Sequence, residues 1–203
     1  MDLTVVGTAY AVIFPVELPD KTFVATLVLA TRYRSSLVWV GVSLAFLVQC
    51  AVAVAAGGLV SLLPTTAVEA AAAALFLVGA VVLWRGADGA EESEAASERE
   101  FASRSTRDVH GPRVVATSFA VLFLAEWGDL SQLFTAGLAA RTGDPTSVFA
   151  GSWLALVTVA GLAVLLGRTL LRFVPLSTVR RVAAGVCLTL ALLAAYEVVS
   201  ELA

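Results

Sequence analysis

The sequence predicts an all-α polytopic membrane protein, with six transmembrane helices arranged as an inverted 3+3 repeat. Composition is the first reason: 59% of the 203 residues are hydrophobic and 14% are charged, whereas a soluble domain is about 45–50% apolar and about 25% charged. The second reason is a set of six long apolar stretches. The third is an acidic motif that occurs twice within them. Little chain remains for a soluble domain, and no nucleic-acid partner is expected.

Each apolar stretch is close to or above the roughly 20 residues that cross the hydrocarbon layer. The stretches are residues 3–30, 37–61, 67–84, 114–140, 146–167 and 178–200. Asp2 precedes the first stretch, and no Lys or Arg occurs before Glu17. The start therefore lacks the basic region of a signal peptide, and we interpret the first stretch as a permanent helix.

The distribution of basic residues predicts the orientation. Arg141 is the one Lys or Arg on the side that holds both termini and the 141–145 loop, while eleven lie on the other side. Loops rich in Lys and Arg face the cytoplasm. We therefore expect a multi-pass protein of the plasma membrane, surrounded by lipid, with both termini outside and the 85–113 loop in the cytoplasm.

Residues 85–113 separate two halves, 1–84 and 114–203. The centre of this segment, residues 87–100, is largely Ala, Glu and Ser without an apolar anchor, which is typical of a disordered linker. The sequence thus predicts two three-helix repeats joined by a disordered, acidic, cytoplasmic linker. A regulatory or metal-sensing loop is the alternative, although the spacing of its acids does not match an EF-hand.

The acidic motif lies in the first and fourth stretches, as residues 17–20 (ELPD) and 126–129 (EWGD). A spacing of three residues places both acids of each copy on one helix face. A charged side chain at the bilayer centre costs about 2.5–3.5 kcal/mol. Four such acids in the membrane indicate a cation-binding site.

The two copies align with an offset of 109 residues, and Gly41 falls on Gly151 when a one-residue gap is allowed. The chain therefore resembles a duplication of a three-span unit. Because three is odd, the second unit must be upside down relative to the first. Inverted repeats of this kind recur in secondary transporters, whose sites form near the midplane where the repeats meet.

Packing the first span against the fourth would bring four carboxylates together, with neutral oxygens beside them. The predicted acidic ligands are Glu17, Asp20, Glu126 and Asp129, and the neutral ones are Thr22, Ser131 and Gln132. Oxygen ligands suit Ca²⁺, Mn²⁺ and Mg²⁺, and the reluctance of Mg²⁺ to lose water favours Mn²⁺ or Ca²⁺ as the transported ion. Clustered carboxylates also bind protons as a coupled set, so metal and protons compete, as in an antiporter.

Lys21 lies four residues after Glu17 and can pair with it on the helix surface. The pair either neutralises part of the site charge or supplies a counter-ion for the metal-free state. Leu130 occupies the matching position of the second copy. No permanently bound cofactor is expected.

These residues resemble the hallmark of a known family, the Golgi and bacterial cation/proton antiporters once called uncharacterised protein family 0016. That family carries a duplicated E-φ-G-D-[KR]-[ST] motif in the first and fourth of six spans. The resemblance covers the chain except residues 85–113. It implies exchange of Mn²⁺ or Ca²⁺ for protons, and export of excess Mn²⁺ where the plasma membrane is the only membrane. Pro19 and Leu130 depart from the motif and leave its four acids intact.

Other functions remain open on the sequence alone. An exporter of a small organic cation, such as a basic amino acid, would pair the acids with an ammonium group. An intramembrane protease could use Asp129, but it has no need for a matched Glu three residues earlier. The single histidine, His110, lies in a loop and cannot serve as a base within the membrane. We therefore expect no enzymatic activity, and a homodimer is an alternative to a monomer.

Overall fold

The computed structural model describes residues 1–18, 21–104, 109–173 and 176–202, and the regular structure in these ranges is helical throughout. This confirms the all-α class for the described residues. The helices are α1 (Leu3–Glu17), α2 (Lys21–Arg32), α3 (Ser35–Val60), α4 (Thr65–Gly86), α5 (Ala90–Arg104), α6 (Pro112–Ala125), α7 (Leu130–Thr142), α8 (Pro145–Phe173) and α9 (Leu176–Leu202).

Four helices are long and apolar enough to cross a membrane: α3, α4, Pro145–Leu165 of α8 and Ser177–Ser200 of α9. Helices α6 and α7 qualify together as a fifth crossing, bent by 76°. The first predicted span is divided between the shorter α1 and α2. The described part of the chain is thus a membrane protein with several spans. Contrary to the prediction, the stretch 114–140 is not a continuous helix.

Capping side chains and one glycine set several helix boundaries. Asp2 accepts a hydrogen bond from the backbone N–H of Thr4 (2.8 Å) and so begins α1. Asp144 accepts one from the N–H of Ser147 (3.1 Å) in the first turn of α8. Helix α7 ends at Thr142 and is capped by Gly143, whose φ of 63° lies in the left-handed region, where glycine is the usual residue.

The middle helix of each half holds the broken helices of the other half. Helices α6 and α7 pack on α3, α1 and α2 pack on α8, and α4 packs on α9. Glycines allow two of these approaches. A Cβ on Gly41 of α3 would lie 2.9 Å from the Cβ of Ser118 in α6, and one on Gly151 of α8 would lie 2.9 Å from the Cβ of Ala9 in α1. Small residues commonly permit close helix packing in membranes.

The segment predicted as a disordered linker contains a packed helix. Helix α5 lies within it and contacts α2 and α9. Ala and Glu are strong helix formers. Phe101 directly follows residues 87–100 and is only 3% exposed. It supplies the apolar anchor that the prediction overlooked. Residues 105–108 of the predicted linker lie outside the described ranges.

Polar contacts identify two ends of the bundle. At one end, the backbone N–H of Asp2 donates to Ser147 Oγ (2.7 Å), so the N-terminus lies beside the start of α8. At the opposite end, Arg181 at the start of α9 pairs with Asp88 just after α4 (2.9 Å). The latter end also carries α5, which contacts α9.

Candidate cation site

The second acidic motif forms the break between α6 and α7. Helix α6 has Glu126 as its C-cap, and α7 has Asp129 as its N-cap. Between them Gly128 has a φ of 79°, a left-handed conformation that costs other L-residues about 1–2 kcal/mol. Glycine therefore allows the chain to turn by 76° between the two helices.

Two glutamines satisfy backbone groups at this break. Gln132 donates its Nε2–H to the carbonyl of Glu126 (2.8 Å), and its Oε1 accepts from the N–H of Gly128 (3.2 Å). Gln49 of α3 donates to the carbonyl of Phe123 (3.2 Å). Irregular backbone persists at membrane depth only where protein or water satisfies it, so these bonds stabilise the break. The sequence predicts Gln132 as an ion ligand, whereas in this structure its oxygen already accepts a backbone hydrogen bond.

The first acidic motif lies at the matching position between α1 and α2. Helix α1 ends at Glu17, with Leu18 as its C-cap, and α2 begins at Lys21. Pro19 and Asp20 lie outside the described residues, so the role of Asp20 stays a prediction. In both halves the motif thus lies where one helix ends and the next begins.

Glu17 and Glu126 occupy equivalent places, each at the carboxyl end of a half-helix. Both are buried, with exposures of 1% and 4%. The last carbonyls of a helix carry the negative end of its dipole and favour a cation. In transporters with broken helices, such ends coordinate transported ions. A buried carboxylate beside these carbonyls provides oxygen donors and negative charge for a cation.

Hydroxyl groups follow the acids on the second half-helices. Ser131 Oγ lies 3.5 Å from Asp129 Oδ2. Thr22 is fully buried, and its Oγ1 has no hydrogen-bond partner among the described residues. Thr26, one turn further along α2, has the same burial and likewise no partner in the described part of the chain. The four-residue spacing places Thr26 on the same face of α2 as Thr22, although Thr26 is not among the predicted ligands.

A cavity of about 320 Å³ is lined by an acid of the second motif and by residues that directly flank the first. Lys21 and Asp129 line it, with Ser93 of α5 and Arg180 of α9. The cavity thus extends from the second motif toward the end of the bundle that carries α5. Lys21, predicted as a counter-ion for Glu17, shares this space with an acid of the other half.

Helix α3 packs against α2, α6 and α7. Its Gln49 side chain donates to the last turn of α6, and the neighbouring Cys50 is buried. Among the described residues, no group of three or more His, Cys, Asp or Glu side chains is placed to hold one metal ion. Since Asp20 lies outside that part of the chain, convergence of the four acids stays a prediction.

A bundle of membrane-spanning helices with acidic motifs at matching places is typical of the class of secondary transporters. The family comparison is more specific. The chain belongs to the GDT1 family, whose model, described as "Divalent cation/proton antiporter GDT1", matches residues 5–91 and 114–202. This confirms the resemblance found in the motifs. Exchange of a divalent cation for protons is the activity that defines the family.

Similar proteins occur in bacteria and plants. A GDT1-like protein of Synechocystis sp. is 37% identical over 161 residues, covering 75% of this chain and 77% of the relative. A Vibrio cholerae protein named "Putative manganese exporter" is 31% identical over 199 residues, covering 96% and 92%. A chloroplastic GDT1-like protein 1 of Oryza sativa is 32% identical over 184 residues, covering 81% and 53%. No solved structure matches the chain.

Proposed function

We propose that this protein exports Mn²⁺ across the plasma membrane in exchange for protons. The groups that bind the metal and the protons in turn are Glu17, Asp20, Glu126 and Asp129. The observation that carries the proposal is the burial of Glu17 and Glu126 at the carboxyl ends of two half-helices. Membership of the GDT1 family supports coupling of a divalent cation to protons.

Mn²⁺ is the preferred cargo, with Ca²⁺ as its closest competitor. The donors at the breaks are carboxylate, carbonyl and hydroxyl oxygens, and such donors suit both ions. The name of the Vibrio cholerae relative supports manganese. The metal is cargo, and no permanently bound cofactor is part of the proposal. Transport needs no catalytic residue.

The proposed architecture has six spans in two inverted three-helix units, residues 1–84 and 114–203. The contacts of Gly41 with Ser118 and of Gly151 with Ala9 support it, because Ser118 follows Ala9 by the same 109 residues that separate the motifs. The family match falls in two blocks of similar extent. Lipid surrounds the bundle, and both motifs belong to one chain, so exchange needs no second copy even if the protein forms a homodimer.

In the proposed orientation both termini face outside and α5 faces the cytoplasm. The excess of arginine on the α5 side supports this orientation, since loops rich in basic residues remain inside. The cavity lined by Lys21 and Asp129 extends toward the same side. Mn²⁺ would therefore enter from the cytoplasm in the conformation seen here, and protons would enter from outside in the alternate conformation.

Exchange in proteoliposomes tests the proposal. Vesicles containing an internal pH dye and a Mn²⁺ indicator would receive an imposed pH gradient. We expect Mn²⁺ flux with opposite proton flux in the wild type, and at least a tenfold loss, about 1.4 kcal/mol, in Glu17→Gln and Glu126→Gln. Glu98→Gln is the matched control, because it removes the same charge from an exposed position on α5. Equal flux in all four proteins would refute the site.

The same assay separates the rival cargo. If the acids bind an organic cation, a basic amino acid should drive proton movement in the presence of a metal chelator, and Mn²⁺ should not. If the protein transports Ca²⁺ in place of Mn²⁺, the proposed exchange for protons still holds and only the identity of the cargo changes.

A further inference from the structure

One arginine joins three helices at the end of the bundle that carries the N-terminus. Arg141 of α7 places its Nε 2.8 Å from Glu69 Oε2 of α4 and its Nη2 2.5 Å from Glu197 Oε2 of α9. The side chains of Arg141 and Glu69 are 15% and 14% exposed, and that of Glu197 is 50% exposed. A guanidinium binds two carboxylates in a fixed geometry. We call these three residues the Arg141 cluster.

The cluster is the first layer of a closed interface between α4 and α7. Further along both helices, the rings of Phe76 and Phe134 meet with centroids 5.1 Å apart. A Cβ on Gly79 would collide with the Phe134 ring, so the ring fits closely against α4. Arg141 follows Phe134 by seven residues and Phe76 follows Glu69 by seven, which places each pair on one helix face.

Beyond the aromatic layer, the same two helices line the cavity of the candidate site. Val82 and Leu83 of α4 and Asp129 and Leu130 of α7 belong to its wall. The order along the interface is therefore ion pair, aromatic pair and cavity. Two barriers separate the cavity from the N-terminal end of the bundle along this interface.

The opposite end differs. The offset of 109 residues between the halves places Arg32 at the position of Arg141 and Asp88 at that of Glu197. By the same offset, α2 is the equivalent of α7, and α9 is the equivalent of α4. Helix α4 packs closely on α7, whereas the equivalent pair, α9 and α2, makes at most slight contact among the described residues. At that end Asp88 is held by Arg181 in an exposed pair, with side chains 81% and 53% exposed.

We propose that the Arg141 cluster is the outer gate of the transport pathway, closed in this structure and opened in the conformation that releases the ion. The inference rests on the proposed function, because a gate needs a transported ion. Inverted repeats alternate by rocking one unit against the other around the site. Separation of α7 from α4 must then break the pair of Arg141 with Glu69, while Glu197 holds Arg141 in place from within the second unit.

Cysteine labelling measures the gate without measuring transport. Ala72 lies one turn from Glu69 on α4 and is 3% exposed. Ala72→Cys in a background with Cys50→Ala and Cys187→Ala provides a reporter between the ionic and aromatic layers. The protein would be placed in lipid nanodiscs, which expose both ends, and treated with a charged, membrane-impermeant methanethiosulfonate. The labelling rate then reports how often the outer layer opens.

We expect Arg141→Gln to raise this rate about tenfold, because open states populated at about 0.1–10% gain occupancy when a closing contact is lost. Glu197→Gln should produce a smaller rise, and its half-exposed position makes misfolding less of a concern. Arg181→Gln is the matched control, since it breaks an ion pair at the opposite end and should leave the rate unchanged. Rates within twofold of the starting protein for both Arg141→Gln and Glu197→Gln would overturn the gate.

Parallel exchange assays keep the two proposals separate. Absence of Mn²⁺/proton exchange in the wild type would refute the proposed function whatever the labelling rates. Exchange in the wild type, combined with labelling that ignores the cluster, would refute the gate alone. A third outcome would also overturn the gate. If Mn²⁺ slows labelling of the reporter, if Glu69→Gln abolishes this protection, and if Arg141→Gln is labelled no faster, then Glu69 and Glu197 form a metal site.

Discussion

Gly41 and Gly151 make the same close approach in opposite halves of the chain. A Cβ on either would lie 2.9 Å from a Cβ across the interface, that of Ser118 for Gly41 and that of Ala9 for Gly151. Each would also collide with a backbone carbonyl, of Val115 and Val6 respectively. Each contact holds a half-helix that ends at an acidic motif against the middle helix of the other half, so the glycines fix the distance between the halves.

Gly41→Val and Gly151→Val should each destabilise the protein by about 1–3 kcal/mol, the usual cost of overpacking. Backbone atoms stand in the way, so a rotamer change cannot relieve the collision. Thermal unfolding in detergent measures the effect. Gly58→Val is the control, since no atom lies within 4 Å of a Cβ there. Equal melting temperatures for all three variants would show that the helix contacts at Gly41 and Gly151 leave room for a larger side chain.

The sequence predicted the uninterrupted spans well and the broken ones poorly. The stretches 37–61 and 67–84 differ from α3 and α4 by two residues or fewer at each boundary, because an apolar run long enough to cross the bilayer has few other folds. The same signal merged α6 with α7, since hydropathy carries no information about φ. The left-handed φ of Gly128 permits the turn, but the 76° bend depends on tertiary contacts.

The acids of the candidate site were predictable from the sequence, and the residues that support them were less so. Duplication identified the motif acids, and the structure places the described ones at the two breaks. The roles of Gln49 and Gln132 as backbone partners depend on which carbonyls the break exposes, and composition does not reveal this. The hydroxyl of Thr26 lies outside the motif, and the sequence does not reveal that it is buried without a hydrogen-bond partner among the described residues.

Gln132→Leu should weaken the second break. It removes the acceptor for the exposed Gly128 N–H and the donor to the partly buried Glu126 carbonyl, and an unsatisfied buried group costs about 1–3 kcal/mol. We expect a lower unfolding temperature together with slower Mn²⁺ exchange. Leu133→Ala, at an exposed position one residue along α7, should change neither. A variant with wild-type stability and exchange would show that water replaces the glutamine.

The loop between α7 and α8 should confer a pH-dependent stability. Hydrogen bonds from the Ser147 side chain, the Ser147 N–H and Thr146 hold the pKa of Asp144 well below its usual range. A depressed folded-state pKa contributes stability that is complete above the unfolded value of about 3.9 and is lost as the pH falls through the folded value. Asp144→Asn should therefore melt below the wild type at pH 7, and the difference should narrow below about pH 4. A gap that is constant from pH 7 to pH 3 would contradict this.

Lys21 should lower the affinity of the cavity for Mn²⁺. Its ammonium group lines the same cavity as Asp129, and a fixed positive charge repels an arriving cation. Lys21→Gln should reduce the KM for Mn²⁺ by about three- to tenfold, and the reduction should shrink in high salt because the side chain is exposed to screening ions. Arg99→Gln removes the same charge from an exposed position on α5 and should leave KM unchanged. A raised KM in Lys21→Gln would contradict this. It would mean that Lys21 orders the acidic site, and that losing this order weakens Mn²⁺ binding more than removing the positive charge strengthens it.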